Sequence, residues 1–138
     1  MIDIFKILKN LSLPQGEYVV VGGAMTAAGI RPTDDLDILV TPNLYQKLKN
    51  KGFKQCRCEK CLKVSRLILK KDNVDIVPNY MLGDYIGDTN KLIQEADIIN
   101  GFPFIKLEEL AKFKKELGRS KDLNDIKLIK AYLSGKRK

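Results

Sequence analysis

The sequence predicts an α/β (α+β) fold: one domain over residues 1–138, in which short strands alternate with amphipathic helices and two helices close the chain. Three observations predict it. Short apolar runs, Val19 to Val21 and the run through Val40 among them, have the length and composition of buried strands. Other segments carry apolar residues three and four apart, the period of a helix. Turn pairs, Asp72-Asn73 and Asn100-Gly101, separate apolar runs as hairpin turns do.

Taken in order, Ile4, Phe5, Ile7, Leu8 and Leu11 make one face of a helix over residues 2–11, with Lys6 and Lys9 outward, and Pro14-Gln15-Gly16 breaks it. Val19 to Val21 form the first strand, ending in Gly22-Gly23. Ala24 to Gly29 read as the helix it feeds. After a polar turn through Arg31-Pro32-Thr33, the second strand carries Asp35 and Asp37. Thr41 then caps a helix with Pro42 at its first position, Leu44 and Leu48 facing in, and Gly52 as its stop.

Phe53 to Cys56 and Val64 to Lys70 are strands, and Asp72-Asn73 turns the chain into Val74 to Val77. Pro78 to Asn90 reads as irregular: a rim over a substrate site or a plain surface connection. Asn100-Gly101 makes a second hairpin, in which Pro103 argues for an edge strand. Leu107, Leu110, Ala111 and Leu117 mark a helix stopped by Gly118. Ser120 caps the last one, with Leu123, Ile126, Ile129 and Leu133 inward, Gly135 closing it and Lys136 to Lys138 as a frayed tail.

Composition narrows the chemistry. There is no histidine, which excludes Ser-His-Asp and Cys-His catalysis and His-ligated zinc. A net charge of +8 favours polyanionic partners such as nucleic acid or nucleoside triphosphates, though lysine-rich surfaces also serve solubility. No apolar run approaches a membrane span, and the N-terminus lacks a signal-peptide layout, so the expected location is cytoplasmic with no membrane partner. Cys56, Cys58 and Cys61 would bind zinc only with a fourth ligand from a carboxylate, water or second chain. Reduced thiols are the simpler reading.

Glycines at a strand–helix junction let a phosphate approach the backbone, with the N–H groups of the helix facing it. Asp35 and Asp37, two apart on a strand, share a face about 7 Å apart. Two carboxylates on an apolar strand call for a neutralising cation. Phosphate and divalent metal side by side describe a nucleotide-handling site.

Gly22-Gly23, eleven residues, then Asp35-Leu36-Asp37-Ile38 is similar to the signature of the nucleotidyltransferase-fold superfamily, the polymerase-beta-like enzymes. The chain most resembles its small single-domain members, which include drug-modifying and toxin–antitoxin nucleotidyltransferases. Leu107 to Leu110, Lys114 and Gly118 to Ile126 also resemble the closing helices of many such proteins.

The resemblance implies a minimal mixed sheet flanked by helices and a third carboxylate on a later strand, for which Asp75 is in place beside Asp35 and Asp37. It implies two Mg²⁺ ions, with Mn²⁺ as a substitute, on Asp35, Asp37 and Asp75, and an NTP donor, ATP by default. Gly22 and Gly23 would cradle the triphosphate with Arg31 and Thr33 at the same opening. Lys114, Arg119 and Lys121 read equally as a solvated basic face, with a Lys121–Asp125 pair, or as triphosphate contacts. The resemblance favours contact for Lys114 and Lys121. Three readings stay open for the partner: RNA or a partner protein as acceptor, a small molecule held across a homodimer, or a non-catalytic antitoxin or interaction module retaining the fold.

Overall fold

The computed structural model describes residues 3–55, 68–82 and 84–136. The three cysteines and the start of the Val64 to Lys70 run lie outside the described residues, as does Gly83. Helix α1 spans Ile4–Leu11, opened by the Asp3 carboxylate accepting from Lys6 N–H and ended by Ser12 in the left-handed region. Strand β1 spans Tyr18–Gly22, α2 is the single turn Ala24–Ala27, and β2 is Leu36–Val40. Helix α3, Pro42–Lys49, has the expected Thr41 cap, but it ends at Asn50. Gly52 instead supplies a positive φ in the turn that follows.

Strands β3 (Lys54–Gln55), β4 (Leu69–Lys71) and β5 (Val74–Val77) follow. Asp72 takes a left-handed φ in the β4–β5 turn, a conformation Asp tolerates. The 78–90 stretch is not irregular. It folds back as β6 (Tyr80–Leu82) and β7 (Tyr85–Gly87), then starts α4 (Thr89–Gln94). Three-residue strands are too short to show alternation. They are held instead by Tyr80 stacked on Phe113 at 4.0 Å, with Tyr85 edge-on to both rings.

Strands β8 (Asp97–Ile99) and β9 (Phe102–Phe104) flank the Asn100-Gly101 turn, both residues at positive φ. Helices α5 (Leu107–Leu117) and α6 (Ser120–Lys136) close the chain, with Gly118 as the left-handed stop of α5. Helix α6 runs through Gly135, which therefore does not end it.

Among the described residues the main sheet is mixed, in the order β3-β4-β5-β2-β1-β9-β8. Its centre is antiparallel β1–β2, with β5 parallel to β2 and β9 parallel to β1. Pro103 thus sits inside the sheet, not on an edge strand. It is tolerated because the β1–β9 contact is one rung, Val20 with Phe104, and the donor there is Ile105 N–H to Val20 O. Val19, Val20, Leu36, Ile38, Leu39, Val40, Leu69 and Ile76 lose all exposure in this centre, each burial contributing about 1.5–3 kcal/mol. No helix among the described residues is long and apolar enough to cross a membrane.

Helix α6 departs most from its apolar pattern. Leu123, expected inside, is 51% exposed. The inward face carries Asp122, Asp125 and Ile129, with Ile126 and Leu133 half-buried.

Candidate functional site

The β1–α2 junction, the loop before β2 and the facing ends of α5 and α6 enclose a cleft of about 600 Å³. Gly22, Gly23, Arg31, Thr33, Asp35, Asp37, Lys114 and Lys121 all line it, so the sequence-predicted residues meet there, except Asp75. Asp75 stands next door. Parallel pairing of β2 and β5 sets it directly opposite Asp37, so both carboxylates leave the same face.

The glycines are needed for different reasons. The β1–β2 register shifts between Val20 and Gly22, and the bulge brings Gly22 over Asp37. A Cβ at Gly22 would lie 2.7 Å from Asp37 Cγ and 2.8 Å from its Cβ. Gly23 sits at φ +129, where a side chain is strained. The expected N-terminal helix field is reduced here, because α2 is one turn long. Gly22→Ala is expected to cost about 1–3 kcal/mol by overpacking and to push Asp37 off its position. Thermal melts beside divalent-cation titration would read both effects.

The loop between α2 and β2 is fixed by its own hydroxyls. Thr26 Oγ1 donates to Arg31 O at 2.7 Å, and Thr33 Oγ1 donates to Asp35 O at 3.0 Å. Thr33 therefore shapes the loop that presents Asp35. Asp35 itself precedes β2 and reaches the cleft from that loop, not from strand alternation.

Asp37 is crowded by negative charge. Burial, then the charges of Asp75 and Asp35, push its carboxyl up to about 6, and a hydrogen bond shared with Asp75 acts in the same direction. Lys70 opposes them from beyond Asp75, with Nζ 3.5 Å from Asp75 Oδ2. Among the described residues, no three carboxylate or thiol side chains form a closed group about one point. Asp37 and Asp75 are in contact, and the charge of Asp35 acts on Asp37 from the loop.

Across the cleft lies a network that the sequence pattern did not reveal. Asp125 accepts from Arg31 Nε and Nη2, both at 2.9 Å, and from Lys114 Nζ at 2.9 Å. Asp122 accepts from Arg119 Nε at 2.6 Å and stands 3.9 Å from Lys114. The expected Lys121–Asp125 pair gives way to these contacts. Burial would raise both carboxyls, but the hydrogen bonds and charges of Arg31, Lys114 and Arg119 outweigh it and hold them below the ordinary range. The signal was present as acids at i and i+3 beside a basic cluster, masked by leucines on the other faces of the same helix. Leu110, Phe113, Leu117 and Tyr80 give the cleft an apolar wall.

No protein-family model matches the chain, and no curated protein matches it.

Proposed function

We propose that this protein is a metal-dependent nucleotidyltransferase. It moves a nucleoside monophosphate from an NTP, ATP by default, onto a hydroxyl of an RNA, protein or small-molecule acceptor, and releases pyrophosphate. The observation that carries the reading is the meeting of paired carboxylates, a cationic wall and an apolar wall in one cleft sized for a small ligand.

The carboxylates fit a divalent cation. Asp37 and Asp75 are hard oxygen donors in contact, their charge only partly offset by Lys70, and Asp35 stands on the neighbouring loop as a third donor. Asp35, Asp37 and Asp75 would hold Mg²⁺ or Mn²⁺. Bound there, the ions supply Lewis-acid activation of phosphate and hydroxyl. Gly22 and Gly23 leave the backbone open to the triphosphate, whose charge Arg31, Lys114 and Lys121 offset. The acceptor oxygen bonds to the α-phosphorus as the bridging bond to the β-phosphate breaks. Asp75 takes the hydroxyl proton, and pyrophosphate leaves with the electrons of the broken bond.

One observation favours the non-catalytic alternative, a nucleotide-binding antitoxin or interaction module: Arg31 and Lys114 are already bonded to Asp125. Calorimetric titration of the four ribonucleoside triphosphates with Mg²⁺ tests the donor site that both readings share, and pyrophosphate release from the bound triphosphate separates them. Magnesium-dependent binding lost in the Asp35→Asn/Asp37→Asn variant is the expected result. Absence of binding for every triphosphate would reject the donor site.

A further inference from the structure

Four charged residues stand directly opposite one another across four adjacent strands. Asp37 on β2 pairs with Asp75 on β5, Asp75 with Lys70 on β4, and Lys70 with Lys54 on β3. Direct register puts all four side chains on one face of the sheet. Adjacent strands lie about 4.8 Å apart, so the row runs about 14 Å from the cleft to β3, the terminal strand of the sheet among the described residues.

The order of charge is the informative part. Like charges directly opposite destabilise a sheet, and opposite charges stabilise it. An alternating row would have been the stable choice. This one reads acid, acid, base, base, so its cross-strand pairings are two of like charge and one of opposite charge, Lys70 with Asp75. Lys106, Lys112 and Lys114 each meet a carboxylate within 3.1 Å, and Lys71 packs over the Phe53 ring. Lys54, in contrast, is exposed and faces another lysine. A lysine directly opposite a lysine costs stability by itself, and an anion laid along the row would offset it.

We propose that Lys70 and Lys54 bind the backbone phosphates of a single-stranded nucleic acid, its terminal hydroxyl reaching Asp37 and Asp75. The assignment of that hydroxyl as acceptor rests on the transferase reading; the binding track does not. A row of ammonium groups leading to a carboxylate pair suits a chain with phosphates along its length and an uncharged hydroxyl at its end. A uniformly acidic peptide would bring its charge to the carboxylates as well.

Fluorescence anisotropy of labelled RNA and DNA strands of about 12 nucleotides tests the track. The comparison is wild type, Lys54→Gln/Lys70→Gln, and a control of equal charge, Lys9→Gln/Lys127→Gln, on exposed helix positions. At low salt the Lys54/Lys70 variant is expected to bind about tenfold or more weakly, and its log–log salt slope to shrink by about 1.4, two phosphate contacts at ~0.7 each. The control should change affinity by only about twofold. Equal losses in both variants, polyglutamate competing as well as RNA, or no strand binding by wild type would each overturn the proposal. Mg²⁺–ATP titration of wild type in parallel keeps the two readings apart. ATP bound without any strand rejects the track alone, and a strand bound through Lys54 and Lys70 without ATP rejects the transferase alone.

Discussion

Asp37→Asn is expected to melt higher than wild type near neutral pH while transferring nothing. The Asp37 carboxyl titrates at about 6 in the fold against 3.8 as the ordinary value. The folded state therefore holds a proton that the unfolded chain has released. Stability from this group is fully present below about pH 4 and is lost as pH rises through about 6. The difference of about 2 pK units corresponds to about 3 kcal/mol of destabilisation above pH 7. Asn removes the charge, keeps the shape and can donate to Asp75. The variant should gain about 2–3 kcal/mol there, or roughly 5–10 °C for a chain of this length, and gain little near pH 4. Magnesium should raise the melting temperature of wild type and leave the variant unmoved. Melts at two pH values, with and without magnesium, decide it. A variant that melts at or below wild type above pH 7 would show that Asp37 carries no charge penalty, and the argument for a cation there would fall with it.

The parts of the fold written in local chemistry were legible in the sequence. Thr41-Pro42, Asp72-Asn73 and Asn100-Gly101 act within a few residues of themselves, and the structure has the cap and both hairpins. Gly22-Gly23 and Asp37 were legible as neighbours in one candidate site, and the structure shows that Gly22 makes room for Asp37. What stayed hidden depends on partners far along the chain. Arg31 meets Asp125 94 residues later, so no window of sequence shows that Asp125 faces inward. Pro103 escapes the edge because β9 meets β1 through a single rung, a property of the assembled sheet. The β6–β7 hairpin depends on Phe113 for its packing.

The second large effect is expected at Asp125, with the opposite pH dependence. Its carboxylate side chain is 7% exposed and holds both Arg31 and Lys114, whose side chains are 40% and 14% exposed. In Asp125→Ala, Arg31 rehydrates readily, but Lys114 keeps, among the described residues, only Asp122, at 3.9 Å. Breaking a buried pair from one side costs about 3–5 kcal/mol, and the exposure of Arg31 argues for the lower end, about 3 kcal/mol. Because the Asp125 carboxyl lies below its ordinary range, its contribution is present above about pH 4 and lost as pH falls through the folded value. Asp125→Ala should therefore lose stability at neutral pH and show a shallower acid limb, where Asp37→Asn gains at neutral pH and matches wild type in acid. Lys121→Ala separates fold from ligand. Lys121 is exposed on the cleft wall, so its loss should change stability by about 0.5 kcal/mol or less while weakening triphosphate binding. Urea melts across pH measure all three. An Asp125→Ala protein within about 1 kcal/mol of wild type would mean the network behaves as a surface ion pair. Arg31 and Lys114 would then be held in the cleft by packing, not by the acids of the last helix.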